Sequence, residues 1–394
     1  MDIKYIDNNK EHGIKYDFNL IRKELAKLKC PDGAYNPFKS HVIKSGKWFL
    51  DLSERSTGKS TNWILLGMVM FKLYGTQTIY IREQVDMIRP AHSRQLFRTI
   101  LEWDYVSKLT DGAYNSVKYI SRSWYFYNTE KDTAADDPFM IALSLDENAL
   151  NKSSFNAPRG DLIIFDEFIS RYNYANQFVD LCDTLKTVIR ERDSALIVML
   201  ANTIDRHTFW FKELGIYEQI QKMEIDTANE YTNSGGTLIS IALMGKKAAQ
   251  MPEHRKEHNR KFFGFINPKL NAITGGEWAM RIYPHPPRAL EGDIPKKINF
   301  NRYIRHNNYL LQIELYKSNE LGLYVICHKA NQTYDDSIIY TLENIAAKNE
   351  RYKWGDNKID KIFYKLLKSN KWYYATNFEG SLMDNYINEL SHIK

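Results

Sequence analysis

The sequence predicts an α/β fold in two domains, the first built on a largely parallel sheet, and three observations predict it. The runs "KWFLDL", "QTIYIR", "DLIIFDEF" and "ALIVMLANT" are apolar enough to be strands covered on both faces, the pattern of parallel sheets. Segments of helical spacing separate them, as crossovers between parallel strands require. After about residue 230 the character changes, through a charged and then Pro-rich stretch, to strands at hairpin spacing. A length of 394 residues fits two domains better than one.

In chain order, apolar residues recur at helical spacing from Tyr16 to Lys29. Lys47 to Leu52 is a short strand running straight into "LSERSTGKST" (Leu52 to Thr61). "TNWILLGMVMFKLYG" then reads as a buried helix closed by Gly75, and Gln77 to Arg82 as a strand. Strand, loop, helix, strand is a βαβ unit. "VKYISRSWYFYN" and "FMIALSL" read as an antiparallel hairpin or edge pair inserted before Asp161 to Phe168, the most apolar strand. A helix from about Ala175 to Arg190 leads to another buried strand, Ala195 to Thr203. These segments make residues 1–229 the first domain. A linker region over 230–297 holds the turn "TNSGG", the strand "TLISIALM", the connector "GKKAAQMPEHRKEHNRKFFG" and the irregular "YPHPPRALEGDIPKK". The second domain, 298–394, is α+β: "YLLQIELYK", "LGLYVICHKA" and "SIIYTL" are strands, followed by helices near Asp356 to Leu367 and Ser381 to Leu390.

Hydrophobic residues at 43% and charged residues at 26% are ordinary for a soluble globular chain. No stretch approaches the roughly 18 uninterrupted apolar residues of a membrane span. "MDIKYIDNNKEHG" lacks the basic and apolar regions of a secretory signal. Cys30, Cys182 and Cys327 stand apart, as in a reducing compartment, so a cytoplasmic location is expected. A net charge of +6 tolerates an anionic partner without requiring one.

"STGKS" carries the chemistry of a phosphate-binding loop. Successive backbone N–H groups at a helix N-terminus wrap a phosphate, a lysine adds a full charge, and a hydroxyl ligates Mg²⁺. Gly58, Lys59 and Ser60 supply these parts, with Glu54, Arg55, Ser56, Thr57 and Thr61 completing the loop. The opening glycine of the usual pattern is Ser53, tolerable where no positive φ is needed. Arg55 is a cis or interface charge so close to the phosphates. The second half of an ATP site is an apolar strand ending in acids, and "LIIFDE" fits, with Asp166 for Mg²⁺ and Glu167 as the base that activates water. Adjacent Asp-Glu favours hydrolysis by an additional-strand ATPase. Asn202 closes the next strand, where it serves either as a polar sensor of the γ-phosphate or as a capping residue. Arg190 and Arg192 end a helix, as an arginine finger for a neighbouring subunit's site or as a solvated helix end. Arg82, Arg89, Arg94 and Arg98 follow the second strand, where they face a pore or simply solvent. "HRKEH" has an inverted zinc-peptidase spacing, but in a basic connector without a third ligand it reads as a solvated helix. In "KIDKIFYKLLK", Lys358, Lys361, Lys365 and Lys368 form a row beside an apolar stripe, open to solvent or to a nucleic-acid backbone.

With these residues in place the chain resembles the DNA-packaging ATPase, or encapsidation protein, of small short-tailed Picovirinae-type bacteriophages. "FLDLSERSTGKS", "IIFDEFI" and "DTLKTVIRER....VMLANT" carry the resemblance, with "TIYIRE" beside them, over roughly residues 45–215; it is fainter toward the C-terminus. The resemblance implies a RecA-like additional-strand (ASCE) P-loop ATPase domain. It also implies a homo-oligomeric ring, by resemblance a pentamer, on the portal (connector) of a procapsid in the host cytoplasm. ATP and Mg²⁺ are its cofactors, and double-stranded DNA is translocated inward. Residue by residue it implies Lys59 and Ser60 on phosphate and Mg²⁺, Asp166 on Mg²⁺, Glu167 on water and Asn202 as sensor. Arg190 is the trans finger with Arg192 second, and Lys152 a further intersubunit charge. A C-terminal domain resembling a vestigial RNase H-type nuclease is implied as well. Because Glu314 is the acid on its first expected strand, "VICHKA" has none, and Asp335 and Asp336 fall in a loop, it is expected to bind DNA, portal or a packaging RNA without cutting. The alternative is a P-loop ATPase of another nucleic-acid transaction, either a helicase or translocase or a terminase-like enzyme with an active nuclease.

Overall fold

A computed structural model describes residues 13–29, 35–53, 57–146, 157–169, 177–202, 206, 208–244, 261, 283–286, 293–306, 309–334, 337–342, 347–352 and 357–392. The chain divides into two units, the larger drawn from residues up to Ala279 and the smaller mainly from Met280 onward, with the short segments Arg171–Ala175 and His207–Phe209 counted with the smaller.

The larger unit begins with α1 (Phe18–Lys27), α2 (Pro37–Ser40), β1 (Lys47–Ser53), α3 (Lys59–Tyr74) and β2 (Gln77–Arg82). Three short helices follow, α4 (Pro90–Leu96), α5 (Arg98–Glu102) and α6 (Tyr105–Leu109), then β3 (Ser116–Ile120), β4 (Ser123–Asn128), β5 (Thr133–Ala134) and β6 (Met140–Ser144). Next come β7 (Gly160–Asp166), α7 (Gln177–Ile189), β8 (Leu196–Ala201), α8 (Phe209–Glu213), α9 (Tyr217–Lys222), β9 (Thr227–Thr232) and β10 (Leu238–Met244). The sheet runs β3-β4-β6-β2-β7-β8-β1-β10-β9. Its central strands, β6 through β10, are parallel neighbour to neighbour, and antiparallel pairs β3–β4 and β9–β10 close the two edges. β8 lies between the loop strand β1 and the acid strand β7, the inserted strand expected from the adjacent acids.

The central strands form where the sequence is apolar on both faces: every residue of β7 and of β8 is buried. Asn62 to Phe71 of α3 are buried without a gap, so this helix is the spine of the core, with Trp63, Leu66 and Met70 inaccessible to solvent. Full burial of such side chains stabilises by about 1.5–3 kcal/mol each. Left-handed glycines bound the helix, Gly58 at φ 85° and Gly75 at φ 69°. α1 is capped by the Asp17 carboxylate, which accepts from the backbone N–H of Asn19 and Leu20.

Asp51 and Asp161 are buried inside this sheet and each collects donors, as a buried charge must. Asp51 of β1 accepts from the Tyr35 hydroxyl (2.5 Å) and the Trp63 indole (2.5 Å), and pairs with His41 (2.9 Å), whose other ring nitrogen meets Ser240 (2.8 Å). Asp161 of β7 accepts from Tyr16 (2.7 Å), Ser194 (2.5 Å) and Arg192 (2.7 Å).

Three sequence expectations are corrected here. The run "FMIALSL" pairs antiparallel with β4 as expected, but it is not an edge strand: β6 also pairs in parallel with β2, and the hairpin at the edge is β3–β4. "TLISIALM" does not belong to a linker, because β10 pairs in parallel with β1 along its whole length and carries β9 at its edge. The boundary at residue 229 therefore cuts through β9, and the sheet continues to Met244.

The smaller unit holds β11 (Lys296–His306), β12 (Tyr309–Ser318), β13 (Gly322–Ala330), β14 (Ile338–Thr341), β15 (Glu350–Arg351), α10 (Lys358–Lys368), β16 (Trp372–Tyr374) and α11 (Asn377–His392). Its sheet runs β15-β14-β11-β12-β13-β16. β11, β12 and β13 form an antiparallel meander, while β14 pairs in parallel with β11 and β16 in parallel with β13. "SIIYTL" is thus not the third strand of a hairpin series, since β11 precedes the series and takes β14 as its neighbour. Phe363 and Leu366 of α10 and Leu382, Met383 and Tyr386 of α11 complete the core with Ile304, Ile313 and Val325.

Candidate nucleotide site

Strand register sets the heights of the candidate residues. Leu52 lies opposite Ala201, Asp166 opposite Leu200 and Ile81 opposite Phe165, so the residues that follow β1, β8, β7 and β2 gather at one C-terminal edge. In α/β sheets that edge is where ligands bind.

Thr57 and Gly58 lead into α3, and Gly58 is left-handed, a conformation few residues with a Cβ adopt. The side-chain amide of Asn62, one turn into α3, donates to the Gly58 carbonyl at 3.0 Å. Ser53 explains its own presence. It is fully buried, and its hydroxyl meets the Thr57 hydroxyl at 2.8 Å, bridging the two ends of the loop from inside. On the outside, the Tyr35 backbone N–H donates to the Thr57 carbonyl at 3.1 Å. Lys59 is 4% exposed at the first position of α3, and Ser60 and Thr61 follow in that turn, half-buried. Glu54, Arg55 and Ser56 lie outside the described residues.

From Lys59 a line of polar contacts crosses the strand ends. The Lys59 ammonium donates to Asn202 Oδ1 at 2.7 Å, and Asn202 Nδ2 donates to Glu167 Oε1 at 3.0 Å. Arg82 donates to Glu167 Oε2 at 2.5 Å and places its other terminal nitrogen 3.7 Å from Asp166 Oδ2, which also accepts from the Tyr80 hydroxyl at 2.9 Å. Glu167 has φ 60°, a left-handed conformation costing roughly 1–2 kcal/mol in a residue with a Cβ. Strain of this kind concentrates at functional sites. Burial and the Asp166 carboxylate push the Tyr80 phenol well above the ordinary tyrosine value, so it remains a donor. For Arg82, burial alone lowers the pKa, yet Tyr80, Asp166 and Glu167 outweigh it and raise it above the ordinary arginine value. The Ser60 hydroxyl and the Asp166 carboxylate are hard oxygen donors, the set Mg²⁺ takes alongside water and phosphate oxygens, so these residues fit that ion.

Asn202 is therefore a bridge between Lys59 and Glu167 and not a cap. Arg82, expected at a pore or in solvent, stands on both acids of the site. The signal for it lay in strand order: with β8 inserted beside β1, β2 borders β7, and the last residue of "QTIYIR" must fall beside Asp166. Arg89 and Arg98 are exposed and pair within their own helical turns with Asp86 (2.6 Å) and Glu102 (2.7 Å). Arg192 does not reach outward: besides Asp161 its guanidinium donates to the carbonyls of Gly160 (3.2 Å) and Val188 (2.9 Å), fastening α7 to β7. Arg190, at φ 54°, is exposed. Lys152, Asp335, Asp336 and the "HRKEH" segment lie outside the described residues. Lys358, Lys361, Lys365 and Lys368 are exposed on α10, and the Lys368 ammonium lies 4.5 Å from the ring centre of the exposed Tyr364.

Over nearly its whole length the chain superposes on two solved assemblies. One is the Phi-28 gp11 DNA packaging motor, at 16% identity and TM-score 0.52, covering 91% of this chain and 98% of that one. The other is the bacteriophage Phi-29 viral genome packaging motor assembly, at 16% identity and TM-score 0.54, covering 90% and 98%. The chain has the fold of phage DNA-packaging motors. Its larger unit is a mixed α/β domain on a mainly parallel sheet, with β8 between β1 and β7 and the Gly58 turn leading from β1 into α3. No protein-family model and no curated protein sequence matches the chain.

Proposed function

We propose that this protein is the ATP-hydrolysing subunit of a phage DNA-packaging motor, working as a homo-oligomeric ring at the portal of a procapsid to drive double-stranded DNA inward. The observation that carries the proposal is the line Lys59–Asn202–Glu167–Arg82–Asp166 along the C-terminal edge of a sheet shared with two packaging motors. Backbone N–H groups of the Gly58 to Thr61 turn and the Lys59 ammonium hold the phosphates of ATP. Ser60 and Asp166 hold Mg²⁺, which when bound neutralises phosphate charge. Glu167 takes a proton from water as the water oxygen attacks the γ-phosphorus and the bond to the ADP oxygen breaks. Asn202 reports the state of Lys59 to Glu167 through its two amide atoms.

Glu167 accepts that proton only once Arg82 lets go of it. Beside Arg82 a cavity of about 390 Å³, lined by Met87, His92, Ser93 and Trp124, gives the guanidinium somewhere to move. Of the two arginine-finger candidates, Arg190 is the one whose exposure suits entry into a neighbour's site, because Arg192 is spent on Asp161. In the smaller unit, the exposed lysines of α10 with Tyr364 suit a nucleic-acid backbone, from DNA or a packaging RNA. Glu314 is engaged by Lys297, Tyr316 (2.8 Å) and His328 (3.2 Å), which supports a nuclease-like unit that does not cut.

The test mixes two inactive proteins. Glu167→Gln and Arg190→Ala are each expected to lack ATP hydrolysis, and their mixture to regain it at interfaces that combine an intact Glu167 with an intact Arg190. Hydrolysis by Arg190→Ala at the wild-type rate, unaffected by double-stranded DNA, contradicts the ring.

A further inference from the structure

Asp166 has two carboxylate oxygens, and both of its side-chain contacts fall on one of them. The Tyr80 hydroxyl donates to Oδ2 at 2.9 Å, and Arg82 approaches the same oxygen at 3.7 Å. Tyr80 lies on β2 opposite Ile164 of β7, two residues before Asp166, so its ring runs along the strand it serves. The ring is 4% exposed and held edge-on by Trp124, with centroids 5.9 Å apart and planes at 89°.

We infer that Tyr80 is the positioning residue for Asp166: its hydroxyl fixes the carboxylate rotamer through Oδ2 and leaves Oδ1 as the oxygen for a metal ion. The inference rests on the nucleotide reading above. A buried tyrosine usually finds an acceptor for its hydroxyl. Here the acceptor is the acid at the end of the neighbouring strand, although a backbone carbonyl would have satisfied the phenol equally. Arg82 alone is a weaker guide, because 3.7 Å is too long for a hydrogen bond and its other arm is committed to Glu167. Tyr80 therefore keeps Asp166 in place while Arg82 moves between resting and working positions.

The experiment uses the full chain with Tyr80→Phe, which keeps the ring and removes the O–H. Two affinities are measured separately: that of a fluorescent ATP analogue without metal, and that of Mn²⁺ for the nucleotide-loaded protein, read from the spin-resonance signal of free Mn²⁺. Loss of a group that orients a metal ligand weakens metal binding by about 10- to 100-fold. Mn²⁺ affinity is therefore expected to fall by at least about tenfold, while metal-free nucleotide affinity stays at the wild-type value. In an Asp166→Asn background the same substitution is expected to change nothing further. Unchanged Mn²⁺ affinity in Tyr80→Phe overturns the inference. So does an equal loss of metal-free nucleotide affinity, which marks general damage to the site. A wild type that binds no nucleotide overturns the nucleotide reading itself, and is recognised by that before any metal is added.

Discussion

Ser53 stands where phosphate loops usually have glycine, and restoring the glycine is expected to harm this protein. Its hydroxyl is fully buried and pairs with the Thr57 hydroxyl at 2.8 Å. Ser53→Ala deprives Thr57 of that partner, and a buried polar group left short of a hydrogen bond costs about 1–3 kcal/mol. Ser53→Gly loses the same bond and adds about 0.5–1 kcal/mol of backbone entropy at the end of a strand. The order of stability is therefore wild type, then alanine, then glycine. For a unit of this size 1 kcal/mol lowers the melting temperature by about 2–4 °C, so a loss near 2 kcal/mol appears as about 4–8 °C. Thermal unfolding of the full chain followed by tryptophan fluorescence measures it, since Trp63 packs directly behind the loop strand. Affinity for a fluorescent ATP analogue should fall with it, by tenfold for each ~1.4 kcal/mol of loop order that binding must restore. A Ser53→Gly protein that melts at or above the wild-type temperature and binds the analogue as tightly refutes the bridging role.

Arg82→Gln is expected to raise DNA-free ATP hydrolysis. A charge-assisted hydrogen bond contributes about 1.5–3 kcal/mol, taken at its lower end because the Glu167 side chain is 40% exposed, so the gain is about tenfold in steady-state rate; a slower variant contradicts the restraint. Arg192→Ala should destabilise the chain in urea by about 3–5 kcal/mol, because it leaves Asp161 buried without its cation, whereas Arg190→Ala should melt like wild type. Replacing Lys358, Lys361, Lys365 and Lys368 with glutamine should leave DNA-free hydrolysis unchanged and flatten the salt dependence of nucleic-acid binding, by up to about 0.9 in log–log slope per lysine lost from a duplex contact.

Strands buried on both faces were the legible part of the sequence, because most such positions must be apolar and the polar exceptions, such as Asp51 and Asp161, are few. β1, β2, β7 and β8 and the helix after the loop lie close to where apolarity alone placed them. β11 was hidden by its charges: Lys297, Arg302 and Arg305 read as surface until their partners Glu314, Asp360 and Glu350, distant in sequence, are brought to them. β10 was misplaced because the exposed edge strand β9 precedes it and imitates the start of a linker. The same limit applied to the site. Lys59, Asp166, Glu167 and Asn202 announce themselves by position after a strand, while Arg82 and Tyr80 gain their meaning only from the strand beside them. Arg192 looked equivalent to Arg190 because Asp161 lies 31 residues before it in sequence.

The most direct test of the account is ATP turnover and ATP binding measured together on the wild type and on Glu167→Gln, with Mg²⁺ and with or without double-stranded DNA. The wild type is expected to hydrolyse ATP faster when DNA is present, and Glu167→Gln to bind ATP with wild-type affinity without turning it over. Turnover by Glu167→Gln at the wild-type rate contradicts the assignment of the base, and a wild type that binds ATP without hydrolysing it under any of these conditions contradicts the motor.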